Sequence, residues 1–270
     1  MDNFKLYSIR CLTNLHVGNG DATYSIVDNQ VQRDVITNFP VINPSSLKGS
    51  LKSFLKSKYD DTALKYIFGH EDHGIGNYKI FPGTLLSIPV RSNKKPFFRA
   101  TCPRIIKDFI DFIDTFEYDV TYKDDLEKIK SFTNQNINSI SVVKCFNEDI
   151  EDVKNLKIEG FKANLKDELI FNKKEDLENI FGKDLIVIND LTFSKIVEKL
   201  PVIARNKLNN GESENLWYEE VVPRETRFYF GVIQGNEYTE EFKGIEKNVV
   251  QIGGNATIGY GFCDINSIRG

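Results

Sequence analysis

Residues 39–52 read Phe-Pro-Val-Ile-Asn-Pro-Ser-Ser-Leu-Lys-Gly-Ser-Leu-Lys, and this stretch decides the fold of the first part of the chain. Pro44 is placed to precede a helix, and Ser45 or Ser46 is placed to cap its first turn. The apolar residues that follow recur at helical spacing and predict one buried face: Leu47, Leu51, Phe54 and Leu55. We therefore expect an amphipathic helix over residues 45–58.

The opposite face of this helix is basic, with Lys48, Lys52 and Lys56 at i, i+4 and i+8. Lys48 falls in the first turn, where free backbone N–H groups and the helix dipole already favour an anion. Gly49 costs roughly 1 kcal/mol of helix stability relative to Ala, which indicates that something approaches the backbone closely. The alternative is an ordinary amphipathic helix with solvated lysines.

An acidic residue and a glycine-rich segment flank the basic helix along the chain. Asp28 lies in residues 26–34, Ile-Val-Asp-Asn-Gln-Val-Gln-Arg-Asp, and residues 253–261 read Gly-Gly-Asn-Ala-Thr-Ile-Gly-Tyr-Gly. Such a loop is either an anion-binding nest of N–H groups or a tight turn, and without a following Lys-Ser/Thr it is not an ATP-binding loop. Together these features suit a protein that binds a phosphate backbone and cuts it.

Composition points to a single cytoplasmic protein. The chain has 270 residues and a net charge of −4, and its four cysteines form no CxxC pair. Reduced thiols are expected, and a cysteine zinc site is not. The N-terminus lacks a signal peptide, and no apolar run reaches the ~18 residues that span a membrane. The negative charge argues against indiscriminate nucleic-acid binding but leaves room for a local basic groove.

Strand and helix patterns alternate in a β-α-β-like order. We expect strands at 5–17, 80–90, 139–146, 185–188, 226–233 and 249–252, and helices at 62–68, 103–116 and 193–200. Residues 117–139 are polar and predict a surface insertion. This order suits an α+β fold with a ferredoxin-like, RNA-recognition-type core in a single domain over residues 1–270.

A hairpin is expected over residues 202–218, because Asn210-Gly211 is a strong turn signal. Arg205 and Lys207 lie on one arm, and Trp217 and Tyr218 lie near the base of the other. A protruding hairpin with a basic arm is able to wedge between nucleotides. The alternative is a plain surface hairpin with Trp217 in the core.

The order of these motifs resembles the backbone RAMP proteins of type III CRISPR effector complexes. Those proteins share the acid, a short extended run and the Ser-Ser-Leu-Lys-Gly helix start. Three further segments resemble the Cmr (type III-B) branch: residues 98–103 with Thr-Cys-Pro, residues 216–226 with Glu-Glu-Val-Val-Pro-Arg-Glu-Thr, and the glycine loop at 250–259. Residues 104–200 carry no segment that resembles the family.

The resemblance implies an architecture and a set of residue roles. It implies a palm on the ferredoxin-like core, a lid or web from insertions at about 104–200, and a thumb at 202–218. Asp28 would be catalytic and would hold a divalent metal, Mg²⁺ or Mn²⁺, with Glu219 and Glu220 as candidate partners for the Asp28 of the next subunit. The expected RNA-binding residues are Arg33, Ser45, Ser46, Lys48, Lys52, Arg205, Lys207, Gly253, Gly254, Asn255, Thr257 and Gly259.

Three acid or histidine features have competing interpretations. Asp28 alone fits a turn or N-cap aspartate, because Asp-Asn is a common turn pair. His16, which the resemblance matches to a family histidine, is either a catalytic or RNA-positioning residue or a structural one. The run His70-Glu71-Asp72-His73 suggests a metal site, but a solvated loop is the better interpretation.

The resemblance implies a repeating subunit of a type III-B ribonucleoprotein that cleaves guide-paired target RNA. Its partners would be CRISPR RNA, complementary target RNA, copies of itself in a filament and other Cmr subunits. One alternative is the type III-A (Csm) backbone subunit, and another is a non-cleaving structural RNA-binding module. A third is a stand-alone RNA-processing endonuclease of the same superfamily.

Overall fold

The computed structural model describes residues 3–20, 27–71, 74–131, 140–144 and 155–269. The helices in these ranges are α1 (Pro44–Lys56), α2 (Asp61–Phe68), α3 (Pro103–Thr115), α4 (Lys123–Lys130), α5 (Lys174–Phe181), α6 (Asp190–Val197) and α7 (Thr239–Lys243), with a 3-10 turn at Ala256–Ile258. The first strands are β1 (Phe4–Cys11), β2 (Val41–Ile42), β3 (Gly69–His70), β4 (Gly74–Ile75), β5 (Lys79–Ile80), β6 (Gly83–Arg91), β7 (Phe97–Thr101) and β8 (Ile140–Lys144). The later strands are β9 (Lys157–Ile158), β10 (Phe161–Glu168), β11 (Leu185–Ile188), β12 (Val202–Asn209), β13 (Glu212–Glu220), β14 (Arg227–Ile233), β15 (Asn248–Gln251) and β16 (Phe262–Ile268).

A mixed sheet with the order β15-β16-β1-β14-β6-β7-β11-β8-β10-β9 organises the molecule. Strand β1 lies between β16 and β14 and is antiparallel to both, and β14 is antiparallel to β6. Beyond β6 the neighbours alternate between antiparallel and parallel through β7, β11, β8 and β10. The predicted α+β class is therefore confirmed.

Helices cover both faces of the sheet. Successive side chains of a strand point to opposite faces, so Tyr7 and Ile9 join one core with Leu51 of α1, while Leu6 joins a second core with Phe109 of α3. Each fully buried side chain of this size contributes about 1.5–3 kcal/mol relative to exposure. Within the described ranges, no helix has both the length and the apolar character that crossing a bilayer requires.

The start of α1 differs from the predicted serine cap. The helix begins at Pro44, and the preceding Asn43 makes no side-chain capping bond. Proline is well suited to the first helical position, because its missing N–H has no partner there in any case. The Ser46 hydroxyl instead accepts a hydrogen bond from Gln32 Nε2 at 3.0 Å. The predicted cap is wrong because the helix starts at Pro44, which puts both serines inside its first turn.

The prediction of a surface insertion at 117–139 is also wrong where the structure describes it. Helix α4 occupies part of this segment and buries Leu126 and Ile129, which lie three residues apart on one helical face. Asp125 is buried as well, and it pairs with Lys128 at 2.7 Å. Residues 132–139 lie outside the described ranges.

Strands β12 and β13 form a separate two-stranded hairpin. Its turn residues Asn210 and Gly211 have φ of 51° and 89°, the left-handed conformation that the Asn-Gly pair favours. Pairing continues from Asn209↔Glu212 down to Val202↔Glu220, with one register shift after Lys207. This register puts Arg205 opposite Trp217 and Ala204 opposite Tyr218.

Candidate functional site

Asp28 lies on the base of the β12–β13 hairpin and is exposed. Its Oδ2 atom accepts a hydrogen bond from Tyr218 N at 2.7 Å. The N–H groups of Asp28 and Asn29 donate to Tyr218 O at 3.0 and 3.2 Å. Within the described part of the chain, the other carboxylate oxygen of Asp28 has no hydrogen-bond partner. One oxygen therefore fixes the side chain, and the described residues leave the second available to a ligand.

Glu220 holds the rest of the Asp28 segment against the hairpin. Its buried carboxylate accepts hydrogen bonds from Arg33 Nη2 at 2.6 Å and from Val31 N at 3.1 Å. Its own N–H donates to Asn29 O at 2.9 Å. Arg33, expected to bind RNA, also donates to the carbonyls of Asn38 and Val197, so its guanidinium is largely used within the chain.

Glu219 connects the hairpin to the glycine loop. Its Oε2 accepts from Arg205 Nη1 at 3.0 Å and from Asn255 Nδ2 at 2.9 Å. Arg205 also lies over the Trp217 ring, 5.4 Å from its centroid. Two of the residues expected to bind RNA, Arg205 and Asn255, are thus partners of a buried carboxylate. Leaving a buried charge without its partner costs several kcal/mol, which explains why these side chains are paired.

His16 is buried beside these two glutamates. Its Nδ1 lies 2.7 Å from Glu220 O, and because a carbonyl only accepts, Nδ1 carries the proton. Its Nε2 lies 3.9 Å from Glu219 Oε1. Burial and these contacts favour the structural interpretation of His16 over direct contact with a substrate.

The glycine loop is a tight turn packed against the His16 segment. Gly254 N donates to His16 O at 2.9 Å, and Gly261 N donates to Asn14 O at 2.8 Å. A Cβ added to Gly253 would lie 2.3 Å from His16 O, so the close backbone approach requires glycine there. The Gly254 and Gly259 N–H groups donate within the chain, which removes them from the predicted anion nest. Thr257 is exposed at the outer side of the loop.

The basic face of α1 is less uniform than predicted. Lys48 is half-buried and Ser45 is exposed. Lys52 Nζ donates to Gly69 O at 3.3 Å and so links α1 to the end of α2. A Cβ added to Gly49 would meet no atom within 4 Å, so the described residues leave the helix backbone open at this point. Lys207, near the hairpin tip, pairs with Glu214 at 2.7 Å.

Two supporting residues were not found from the sequence. Gln32 joins α1 to the Asp28 segment, because its Oε1 accepts from Asn43 N at 2.8 Å and its Nε2 donates to Ser46 and to Gly18 O. Glu225 pairs with Arg10 at 2.7 Å and with Arg99. Burial opposes ionisation of Glu225, but the two arginines outweigh it and hold its pKa below the ordinary value. The signal for Glu225 in the sequence is its position in the Glu-Glu-x-x-Pro-x-Glu-Thr run.

The described residues do not by themselves build a metal site. Magnesium usually takes one or two carboxylates together with substrate phosphates and water. The described residues contain no group of three or more His, Cys, Asp or Glu able to hold an ion, and Asp28 stands as a single carboxylate. Two residues of the His70–His73 run, positions 72 and 73, lie outside the described ranges.

The comparisons with known proteins agree with this arrangement of motifs. The model of the RAMP superfamily matches residues 8–264. The chain is 29% identical over 294 residues to "CRISPR system Cmr endoribonuclease Cmr4" of Pyrococcus furiosus, with 96% of this chain and 94% of that protein covered. The chain is also 44% identical to "CRISPR system Cms endoribonuclease Csm3" of Streptococcus thermophilus over 55 residues, an alignment that covers 20% of this chain and 25% of that protein.

Solved structures share the fold. A chain from the type III-B Cmr-beta complex bound to cognate target RNA aligns with a TM-score of 0.78 and 21% identity, covering 98% of this chain and 97% of that one. Oligomeric Cmr4 from Pyrococcus furiosus aligns with a TM-score of 0.71 and 24% identity, covering 98% and 99%. The resemblance to the type III-B branch that the motifs predicted is confirmed. Because one family model spans nearly the whole chain, this protein belongs to the RAMP superfamily.

Proposed function

We propose that this chain is a repeating RNA-binding subunit of a type III-B CRISPR ribonucleoprotein and that it cleaves RNA paired with the guide. The relative that covers 96% of the chain is named as an endoribonuclease of the Cmr system. One fold neighbour is a chain of a Cmr-beta complex bound to target RNA, and another is an oligomeric Cmr4. We accordingly propose CRISPR RNA, target RNA, further copies of this chain and other Cmr subunits as its partners.

The observation that carries the cleavage proposal is the geometry of Asp28. One carboxylate oxygen is fixed by the Tyr218 N–H at 2.7 Å, and the side chain is exposed. In the proposed reaction the available oxygen accepts the proton of a ribose 2′-OH. The 2′-oxygen then bonds to the adjacent phosphorus, the bond from phosphorus to the 5′-oxygen breaks, and that leaving oxygen takes a proton from water. The products are a 2′,3′-cyclic phosphate and a 5′-hydroxyl.

We propose that His16, Glu219 and Glu220 position Asp28 and do not react with the RNA. Glu220 binds both Arg33 and Val31 N of the Asp28 segment, and Glu219 binds Arg205 and Asn255. His16 supports the same junction through Glu220 O. Proton transfer from the 2′-OH requires the accepting carboxylate to be held in place to within a fraction of an ångström.

The architecture supports the proposed palm and thumb. The strand order β16-β1-β14-β6, antiparallel throughout, corresponds to the 4-1-3-2 order of a ferredoxin-like sheet. The β12–β13 hairpin stands apart from this sheet and is the proposed thumb. Elements between 104 and 200 form the proposed lid or web, although β11 pairs with β7 and so extends the main sheet.

The proposed grip on the guide lies at the start of α1. Lys48, Ser45 and the open backbone at Gly49 share one end of this helix, where free N–H groups favour phosphate. Thr257 and the other exposed positions of the glycine loop would add contacts to the RNA backbone. Base pairing would then read the sequence, as in other RNA-guided systems.

Divalent metal dependence is a separate prediction. Because the described residues form no group of three or more metal ligands, we propose that RNA phosphates, water or a neighbouring copy complete the coordination of an ion held by Asp28. The check is guided cleavage by the assembled complex in EDTA and after addition of Mg²⁺ or Mn²⁺. Full activity in EDTA would rule out the requirement.

The alternatives make different predictions. A type III-A subunit would be expected to match its relative along most of the chain, whereas the Csm3 similarity covers 20% of it. A non-cleaving module would bind guide and target without cutting, and a stand-alone endonuclease would cut precursor RNA without other subunits. The decisive experiment purifies the chain with its natural RNA and then adds complementary target. Bound RNAs with a common repeat-derived 5′ tag, together with target fragments ending in 2′,3′-cyclic phosphate, would support the proposal.

A further inference from the structure

We propose that the ring of Tyr218 stacks on the target base next to the cleaved phosphate, so that this tyrosine places the nucleotide whose ribose meets Asp28. The inference rests on the proposed function and assigns it a residue that contacts the substrate.

One face of the hairpin is anchored to the protein. Arg205, Trp217 and Glu219 lie on this face, because cross-strand pairing puts Arg205 opposite Trp217 and successive residues alternate between faces. Arg205 binds the buried Glu219 carboxylate and lies over the Trp217 ring. This face is therefore occupied by contacts within the chain.

The other face is apolar and partly exposed near the base of the hairpin. Tyr218 is 39% exposed and Leu216, two residues along the same strand, is 54% exposed. The residue opposite Tyr218 is Ala204, whose small side chain covers little of the aromatic ring. Large exposed apolar side chains that lie together generally mark a binding surface.

The position of this surface relative to Asp28 indicates what it binds. Among the described residues, the backbone of Tyr218 makes the hydrogen bonds that fix Asp28: Tyr218 N donates to Oδ2 at 2.7 Å, and Asp28 N donates to Tyr218 O at 3.0 Å. A ribose that brings its 2′-OH to Asp28 therefore lies beside the residue that carries the exposed ring.

Stacking fits the chemistry that such a subunit needs. Each base has a π-face, so an aromatic platform accepts any sequence, and this suits a protein whose sequence recognition is left to pairing with the guide. A stacked base also fixes the orientation of its sugar, which sets the line of attack of the 2′-OH on phosphorus. Leu216 would extend the apolar surface under the same nucleotide.

The test pairs a protein variant with a modified target. In the assembled complex we expect Tyr218→Ala to slow single-turnover cleavage roughly 10- to 100-fold, the range expected for loss of one stacked base. Tyr218→Phe should retain nearly full activity, because it keeps the ring. Phe161→Ala removes a different exposed aromatic, 52% exposed in another hairpin, and should cleave like the wild type.

An abasic nucleotide at the cleavage position then separates stacking from a structural effect. If Tyr218 stacks on this base, the abasic target should slow the wild type and leave almost no difference between wild type and Tyr218→Ala. A Tyr218→Ala defect of unchanged size on the abasic target would overturn the proposal, and so would wild-type activity of that variant on the normal target. Loss of complex assembly in Tyr218→Ala would indicate a contact between protein copies, which also overturns it.

A binding readout keeps this inference distinct from the cleavage proposal. With 5-iodouridine at the same position and Asp28→Ala in the complex, irradiation should crosslink the target to Tyr218, as identified by mass spectrometry. This readout needs no cutting, so it tests the stacking even if Asp28 proves not to be catalytic. Crosslinks to other residues alone would contradict the assignment.

Discussion

The Asp28 carboxylate accepts a hydrogen bond from the backbone N–H of Tyr218 at 2.7 Å, although 190 positions separate the two residues. The reverse contact, Asp28 N to Tyr218 O, closes a small ring between the two segments. The candidate catalytic carboxylate is therefore attached to the base of the proposed thumb. Movement of the hairpin would carry Asp28 with it, which links the placement of the RNA to the placement of the proton-accepting carboxylate.

Asp28→Ala is expected to abolish cleavage of a guide-complementary RNA by the assembled complex while leaving assembly and target binding unchanged. The side chain is exposed and fills no core position, so its removal should not disturb folding. Asp28→Asn is the matched control for shape, since the amide keeps the size but is not a useful proton acceptor. Cleavage is measured on labelled target under single-turnover conditions, and wild-type rates in both variants would show that Asp28 is not catalytic.

Lys48→Glu is expected to weaken retention of the CRISPR RNA, because it replaces a cation at the start of α1 with an anion that faces phosphate. The affinity of the wild type for the CRISPR RNA should fall as the salt concentration rises, because each phosphate contact releases counterions. The affinity of the variant should fall less steeply. Lys56→Glu, on the exposed last turn of the same helix, is the control and should matter less. Equal guide occupancy and equal salt slopes in both variants would argue against the proposed grip.

Replacing residues 209–215 by a two-residue turn should leave the core folded, because the hairpin tip is exposed and its base is held by the Arg205–Glu219 pair at 3.0 Å. We expect the regular spacing of cuts along the target to change more than overall RNA affinity. The measurements are a sequencing-gel ladder and a filter-binding titration on the same complex. An unchanged ladder would place the thumb elsewhere, in the 104–200 region.

Glu225→Gln is expected to destabilise the chain by about 1.5–3 kcal/mol at neutral pH, since it leaves the largely buried Arg99 and the partly exposed Arg10 without their carboxylate. The pKa of Glu225 is lowered on folding, so its ionised form stabilises the native state above the unfolded pKa of about 4.3. That contribution is lost as the pH falls through the lower folded pKa.

The difference in the free energy of unfolding between wild type and Glu225→Gln, measured in urea, should therefore shrink below about pH 4. Glu214→Gln is the control, because its pair with Lys207 is exposed and should contribute less than about 1 kcal/mol. A difference for Glu225→Gln that does not change with pH would mean that the carboxyl is not ionised in the folded protein.

Local patterns in the sequence determined several elements correctly. The apolar spacing of α1 and α3, the strand at Leu185–Ile188 and the Asn210-Gly211 turn follow from periodicity and turn chemistry, which act within a few residues. The serine cap failed because the helix starts at Pro44, before both serines. The polar surface insertion failed because packing against distant parts of the chain buries Leu126 and Ile129. The order of the motifs also identified the family, because motif order is a property of the sequence and requires no tertiary contact.

The tertiary structure alone decided which charged residues are available to a ligand. Arg33 and Arg205 have the charge expected for RNA contact, yet buried carboxylates bind both. These pairings join segments that are far apart in the chain, and the low-dielectric interior requires each buried charge to have a partner. Sequence spacing carries no record of such partners, so it identified Asp28 as a candidate but not the Tyr218 backbone that holds it.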